Sequence, residues 1–261
     1  MTTTVALLNQ KGGVGKTSVT LGLAGAAQKA GLRTLVGDLD SQANATWGLG
    51  VEIDPDAPTL LDVLLANEVG GAADALHPTG WGEEVDCLPA TAELLEFESR
   101  PLRTDPEDRL RRTLDGTFEQ YDLILLDAPP SLGRMTRNAL VASDVVVVVA
   151  EPSVLSVLGV DAVDRLVADV GDRHATALTL AGVIVNKMPA RGREAEQQLA
   201  ALGEVTGRRQ VWRPAVPRRA VMTEAVSDRT PIQWWGYRAK ELVEVFDALL
   251  RRLRREAAGR G

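Results

Sequence analysis

The chain has 261 residues, 45% hydrophobic and 25% charged, with only ten aromatics, so it can fill the core of one α/β unit mostly with Ala, Val and Leu. Its one cysteine, Cys87, excludes a disulfide framework, a cysteine-built zinc site and an iron–sulfur cluster held by one chain, and its longest purely apolar run, 145–150, is too short to cross a bilayer. The net charge of −7 divides into −14 over residues 1–185 (13 Lys and Arg against 27 Asp and Glu) and +7 over 186–261 (16 against 9), which excludes a passive polycation but leaves a basic C-terminal third able to face a polyanion.

Thr4 to Asn9 reads as a buried strand followed at once by a Gly-rich turn, and Thr17 to Ala30 as an Ala- and Leu-rich helix ended by Gly31. Thr34 to Asp38 is a second strand. Residues 50–100 carry many Pro and Gly and read as loops and short helices around a small strand at Val85 to Leu88. A helix is expected at 105–120, strands at 122–127 and 144–150, and a helix at 156–170. Strands at 178–186 and 210–216 and a helix at 191–203 complete the pattern. In the last helix, 237–256, Ala239, Leu242, Val243, Phe246, Leu249, Leu250 and Leu253 share one face, which predicts docking onto the body. Continuous apolar strands alternating with helices predict a doubly wound, mostly parallel sheet covered on both faces, with 1–261 forming one unit. His77 and His174 read as surface loop residues, and Cys87 as a small buried hydrophobe. No charged stretch leading into an apolar one opens the chain, so a cytoplasmic protein is expected.

The chemistry concentrates in Asn9-Gln10-Lys11-Gly12-Gly13-Val14-Gly15-Lys16-Thr17-Ser18, between the first strand and the first helix. Glycines let the backbone curl so that successive N–H groups point inward, and the helix N-terminus adds its dipole, which together make an anion cradle. Lys16 can reach the β- and γ-phosphates of a nucleotide, and the Thr17 hydroxyl can bind Mg²⁺. Gln10 stands where the usual phosphate-loop pattern begins with Gly, and Lys11 is an additional cation at the start of the loop. Asp127 ends an apolar strand, where a carboxylate is costly unless it serves a cation.

The loop resembles the deviant Walker A loop of the ParA/MinD ATPases. Asp38-Leu39-Asp40-Ser41-Gln42-Ala43-Asn44-Ala45-Thr46 is similar to the D-x-D-P-Q-x-N-A-T segment of ParA/Soj partition proteins, with Ser41 in place of the proline. Asp127-Ala128-Pro129-Pro130-Ser131-Leu132-Gly133 resembles their Walker B and switch region, and Val216-Pro217-Arg218 through Glu224-Ala225 a further family segment. The resemblance implies an ATPase that binds ATP and Mg²⁺ through residues 11–18, with Thr17, Asp40 and Asp127 around the metal. It implies Asp40 as the residue that orients the attacking water, and Lys11 as a cation offered across a homodimer interface to the partner's ATP. Asn186, Pro217 and Arg218 occupy the positions that hold the adenine in relatives.

The resemblance further implies partition of a chromosome or plasmid: non-specific double-stranded DNA binding by the ATP dimer, and hydrolysis stimulated by a ParB-like centromere-binding partner. It places the protein in the cytoplasm on the nucleoid. Arg191 matches a DNA-contacting arginine of Soj-like relatives, and Arg218 and Arg219 lie nearby; Val221 stands where relatives carry a second arginine, for which Arg219 is the replacement. The alternative is a MinD-like ATPase that docks on membranes without stable insertion, using the Arg-rich end of the last helix. A third class, a synthetase activating a carboxylate, leaves Lys11 without a task. The single cysteine excludes a nitrogenase-type reductase, and two tyrosines exclude a C-terminal tyrosine cluster.

Overall fold

The computed structural model describes residues 2–102, 106–176, 178, 180–189, 196, 197, 199, 200, 203, 204 and 211–259. The first half of the chain forms β1 (Thr3–Leu8), α1 (Lys16–Lys29), β2 (Thr34–Asp38), α2 (Asn44–Gly48), α3 (Leu60–Ala66), β3 (His77–Thr79), β4 (Gly82–Leu88), α4 (Glu96–Ser99) and α5 (Arg109–Leu114). The second half forms β5 (Leu123–Asp127), α6 (Arg134–Val141), β6 (Val145–Ala150), α7 (Val154–His174), β7 (Leu180–Val185), α8 (Ala220–Ser227) and α9 (Lys240–Ala258).

The strands order as β3-β4-β2-β5-β1-β6-β7, all parallel except the short β3, which pairs antiparallel with β4 at the edge. Side chains alternate along each strand, so one sequence feeds two cores. Val5, Leu7, Val36, Leu125, Val147 and Ile184 face the layer that contains α1 and α9. Ala6, Leu8, Leu35, Leu126, Val148 and Val185 face the opposite layer, to which α3, α5, α6 and α7 contribute. Because β1 lies between β5 and β6, the loops after β1, β5 and β6 open onto one crevice at the carboxyl edge of the sheet.

Several boundaries differ from the pattern reading. The expected helix at 105–120 is α5 followed by a 3-10 turn at Phe118–Gln120, with Gly116 at φ 77° between them. The expected strand at 210–216 is replaced by isolated bridges, Val183 with Val211 and Met188 with Pro217. Pro214 and Pro217 lack the N–H groups a continuous ladder needs. The expected helix at 237–256 begins at Lys240, after a 3-10 segment, Ile232–Ala239, interrupted by the non-helical Gly236 (φ 55°, ψ −132°). Its buried face is Leu242, Val245, Phe246, Leu249, Leu250 and Leu253, and Phe246 sits over Gly22 of α1, where a Cβ would overlap the ring. The expected helix at 191–203 lies largely outside the described residues.

Both histidines depart from the surface reading. His77 is buried, its Nε2 accepting from the Asp54 N–H at 3.3 Å and its Nδ1 lying 3.1 Å from Ala75 O. His174 ends α7 with its Nε2 3.1 Å from Glu107 Oε2. Asp54 and Glu107 come from elsewhere in the chain, so local polarity could not disclose them. Cys87 is fully buried, and its surroundings push the thiol well above its usual range.

Candidate functional site

The turn from β1 into α1 is built to receive an anion. Gly13 and Gly15 adopt φ 79° and 84°, which L side chains rarely take, and a Cβ on Gly15 would also overlap the Asn186 amide. Gly15 precedes α1 with no side-chain cap, and no acidic residue lies in the first helical turn. The first N–H groups of α1 are therefore left to an outside acceptor, at the positive end of the helix dipole. Gly12 and Gly13 are exposed while Lys16 is buried, so the loop is open at its rim and charged at its base.

Lys16 sits among carboxylates. Burial lowers its ammonium pKa, while the charges of Asp127 and Asp40 act in the opposite direction. Asp127 is buried at the end of β5, where its Oδ2 accepts from the Thr17 hydroxyl at 2.6 Å and its Oδ1 lies 3.1 Å from the Thr20 hydroxyl. Asp38, at the end of β2, accepts from the Thr46 N–H and hydroxyl, each at 2.8 Å, and from the Asp40 N–H at 3.2 Å. Asp40 is thus held by its backbone to a buried carboxylate, and its own Oδ1 accepts from the Gln42 N–H at 3.0 Å. The turn closes through Ala43, which is in the left-handed region at φ 52°.

Burial raises the pKa of Asp38 to about 7 and that of Asp127 to about 6; the neighbouring Asp127 charge adds to the first, while Thr17 and Lys16 restrain the second. Both folded values lie above the unfolded value of 3.8, so the stability these groups contribute is complete below pH 3.8 and is lost as pH rises through 6 to 7. The nucleotide-free protein should therefore melt roughly 2–6 °C higher at pH 6 than at pH 8. Asp38→Asn should shrink that difference. Melting curves followed by circular dichroism measure it, and a melting point at pH 6 equal to or below that at pH 8, unchanged by Asp38→Asn, overturns the expectation.

These groups fit a hydrated Mg²⁺ better than an all-protein metal cage. Among the described residues no cluster of three or more His, Cys, Asp or Glu is arranged to hold a metal. A threonine hydroxyl and one carboxylate beside an anion cradle match a cation that takes its remaining ligands from phosphate and water.

The remaining expected residues divide by location. Asn186 follows β7 and donates from Nδ2 to Val14 O at 2.9 Å, with Gly15 O at 3.4 Å, so its amide nitrogen braces the loop from behind. Pro217 and Arg218 reach the same corner, because Met188 N donates to Val216 O and Arg218 N to Met188 O. Arg219 precedes α8, and its guanidinium pairs with Glu241 at 2.8 Å. Arg191 lies outside the described residues.

Three contributors were not read from the sequence. Thr20 stands three residues after Thr17 on one face of α1, a spacing that could have disclosed it. Glu151 follows β6 much as Asp127 ends β5, and a charge after an apolar run was the available signal. Lys187 enters through a backbone with φ 56°, which its sequence does not announce.

A family model described as an AAA domain matches residues 2–180. The sporulation initiation inhibitor protein Soj of Bacillus subtilis is 33% identical over 237 residues, covering 90% of this chain and 92% of that protein. This chain belongs to the ParA/MinD family. The chromosome partitioning protein ParA of Myxococcus xanthus is 32% identical over 239 residues, covering 90% of this ParA-family chain and 82% of that protein. Among solved structures, one described as cobyrinic acid a,c-diamide synthase from Mycobacterium smegmatis, with bound ADP and magnesium, is 30% identical. It covers 97% of this chain and 96% of its own, with a TM-score of 0.79. Nucleotide and magnesium binding thus occurs in this family, and the seven-stranded, mostly parallel sheet is that of P-loop NTPases.

Proposed function

We propose that this chain hydrolyses Mg²⁺·ATP in order to move DNA, as a ParA/Soj-type partition protein. The observation that carries the reading is the uncapped start of α1 beside buried Lys16, with Thr17 and Asp127 2.6 Å apart at its base. The N–H groups of residues 11–18 and the Lys16 ammonium hold the phosphates, while Thr17, Asp127 and Asp40 serve the metal directly or through water. Bound Mg²⁺ supplies neutralisation of the phosphate charge that develops during transfer. Asp40 orients the attacking water. Asn186, Pro217 and Arg218 form the corner where the adenine rests.

Two copies close on ATP, with Lys11 of each reaching the other's phosphates. The ATP dimer binds double-stranded DNA without sequence preference through the basic 186–261 region, using Arg191, Arg218 and Arg219, the last leaving Glu241 to do so. Dimerisation doubles the phosphate contacts and so couples DNA binding to ATP. A ParB-like centromere-binding protein stimulates hydrolysis and release, and the working place is the cytoplasmic nucleoid. The whole of 1–261 acts as one unit.

The test is a salt titration on two unrelated duplexes, with ATP, with ADP, and with anionic vesicles as competitor. A dimer engaging roughly 4–6 phosphates gives a log–log slope of about −4 to −5 on both duplexes, with ATP only. Tight vesicle binding without DNA binding selects the MinD-like alternative, although no described helix is long and apolar enough to cross a membrane. The Mycobacterium smegmatis structure favours a second reading, ATP-driven amide formation on a carboxylate. Turnover that requires cobyrinic acid and an ammonia donor, and ignores DNA, selects it.

A further inference from the structure

Two lysines meet one carboxylate on the rim of the phosphate loop. Glu151 is the first residue beyond β6, which lies beside β1. Its Oε2 is 3.4 Å from Lys11 Nζ, and its Oε1 is 2.9 Å from Lys187 Nζ. The backbone of Lys11 is tied to the same strand, since Asn9 Oδ1 accepts from the Lys11 N–H at 2.7 Å while Asn9 Nδ2 donates to Val149 O. Lys187 arrives from the end of β7, and its ammonium also donates to the Gly13 carbonyl. The hydrogen bond from Lys187, helped by the Lys11 charge, holds the Glu151 carboxyl below its usual range, so it stands as a fixed anion.

We propose that Glu151 is a positioning residue that holds the Lys11 ammonium on its own chain and thereby sets how readily ATP brings two copies together. The inference rests on the reading that Lys11 serves a second copy. The two partners differ in freedom: the Lys11 side chain is 48% exposed on a flexible stem, while Glu151 is 25% exposed and braced by Lys187. Lys11 is therefore the one that leaves. Ion pairs of such exposure shift a population by a factor of about 1.5–5. That is weak enough for the phosphates of a facing ATP to win, and strong enough to set a threshold concentration.

Sedimentation across protein concentration, at a saturating non-hydrolysable ATP analogue with Mg²⁺, compares wild type with Glu151→Gln. Saturation removes nucleotide affinity from the comparison, and the glutamine keeps the shape while discharging the group. The dimerisation midpoint should fall about 2- to 5-fold in the variant. A loop merely damaged by the substitution moves the midpoint upward, so the sign separates release from structural loss. In parallel, mass spectrometry follows acylation of Lys11 by an N-hydroxysuccinimide ester in nucleotide-free protein. Its rate should rise about 2- to 5-fold in Glu151→Gln as the pair is lost. An unchanged labelling rate overturns the proposal. So does a midpoint that is equal or higher in the variant when wild type dimerises normally, and that result leaves the role of Lys11 intact. If neither chain dimerises with the analogue, the reading of Lys11 fails and the proposal fails with it.

Discussion

Asp40→Ala should bind Mg²⁺·ATP and hydrolyse it about 100- to 10,000-fold more slowly than wild type. The expectation follows from where the carboxylate is fixed. Its backbone N–H is bound to Asp38, itself buried and saturated by Thr46, so the loop after β2 cannot drift from the sheet edge. Leu39 N donates to Asp127 O at 3.0 Å, which ties the same loop to the strand carrying the other carboxylate. Asp40 is only partly buried and its charge acts on both Lys16 and Asp127, so it lies beside the cradle, and on the proposed reading it is the carboxylate that orients the attacking water. Removing it takes away orientation of the water but leaves Lys16, Thr17 and the α1 amides to hold nucleotide. The variant should therefore accumulate in its ATP-bound form. Single-turnover hydrolysis measured beside equilibrium binding of a fluorescent ATP analogue separates the two effects, and turnover at the wild-type rate removes Asp40 from the chemistry.

Lys16→Met should instead lose affinity for Mg²⁺·ATP by about 30- to 5,000-fold, the equivalent of about 2–5 kcal/mol for truncating one member of a buried charge pair. The lysine is buried where water cannot replace its charge. Its neighbours Asp127 and Asp40 carry negative charge, so without the ammonium a phosphate would enter beside two carboxylates that repel it, with only the rim lysines Lys11 and Lys187 to offset them. The loss also works through the protein, since Lys16 is one of the groups that keep Asp127 from rising further. Without it Asp127 holds its proton more firmly and serves a cation less well. Calorimetric titration with ATP and with ADP, each with Mg²⁺, gives the number. Affinity within a factor of about 3 of wild type, under 1 kcal/mol, places the phosphates elsewhere.

What the sequence determined alone was whatever depends on near neighbours along the chain. Short continuous apolar runs read as strands at 4–9, 122–127 and 144–150, and the strands form at 3–8, 123–127 and 145–150, because runs of this length buried on both faces suit the inner strands of a parallel sheet. The glycines of the phosphate loop are legible because only they take φ near 80° at low cost, and Asp127 stands out in the sequence because a carboxylate ending an apolar strand is costly unless it is paired or serves a cation.

Tertiary structure alone decided the rest, because those features depend on residues far apart in sequence. The helix expected at 237–256 starts late because Gly236 turns the chain to lay Phe246 over Gly22. His77 is buried because the N–H of Asp54, 23 residues away, reaches its ring. Asn186 braces Val14 across 172 residues, and Arg219 is claimed by Glu241. Lys11 rests on Glu151, 140 residues away, only because the sheet places β6 beside β1. A local pattern states what a segment can bury or bind; which partner it meets is set by strand order, and strand order is a property of the whole chain.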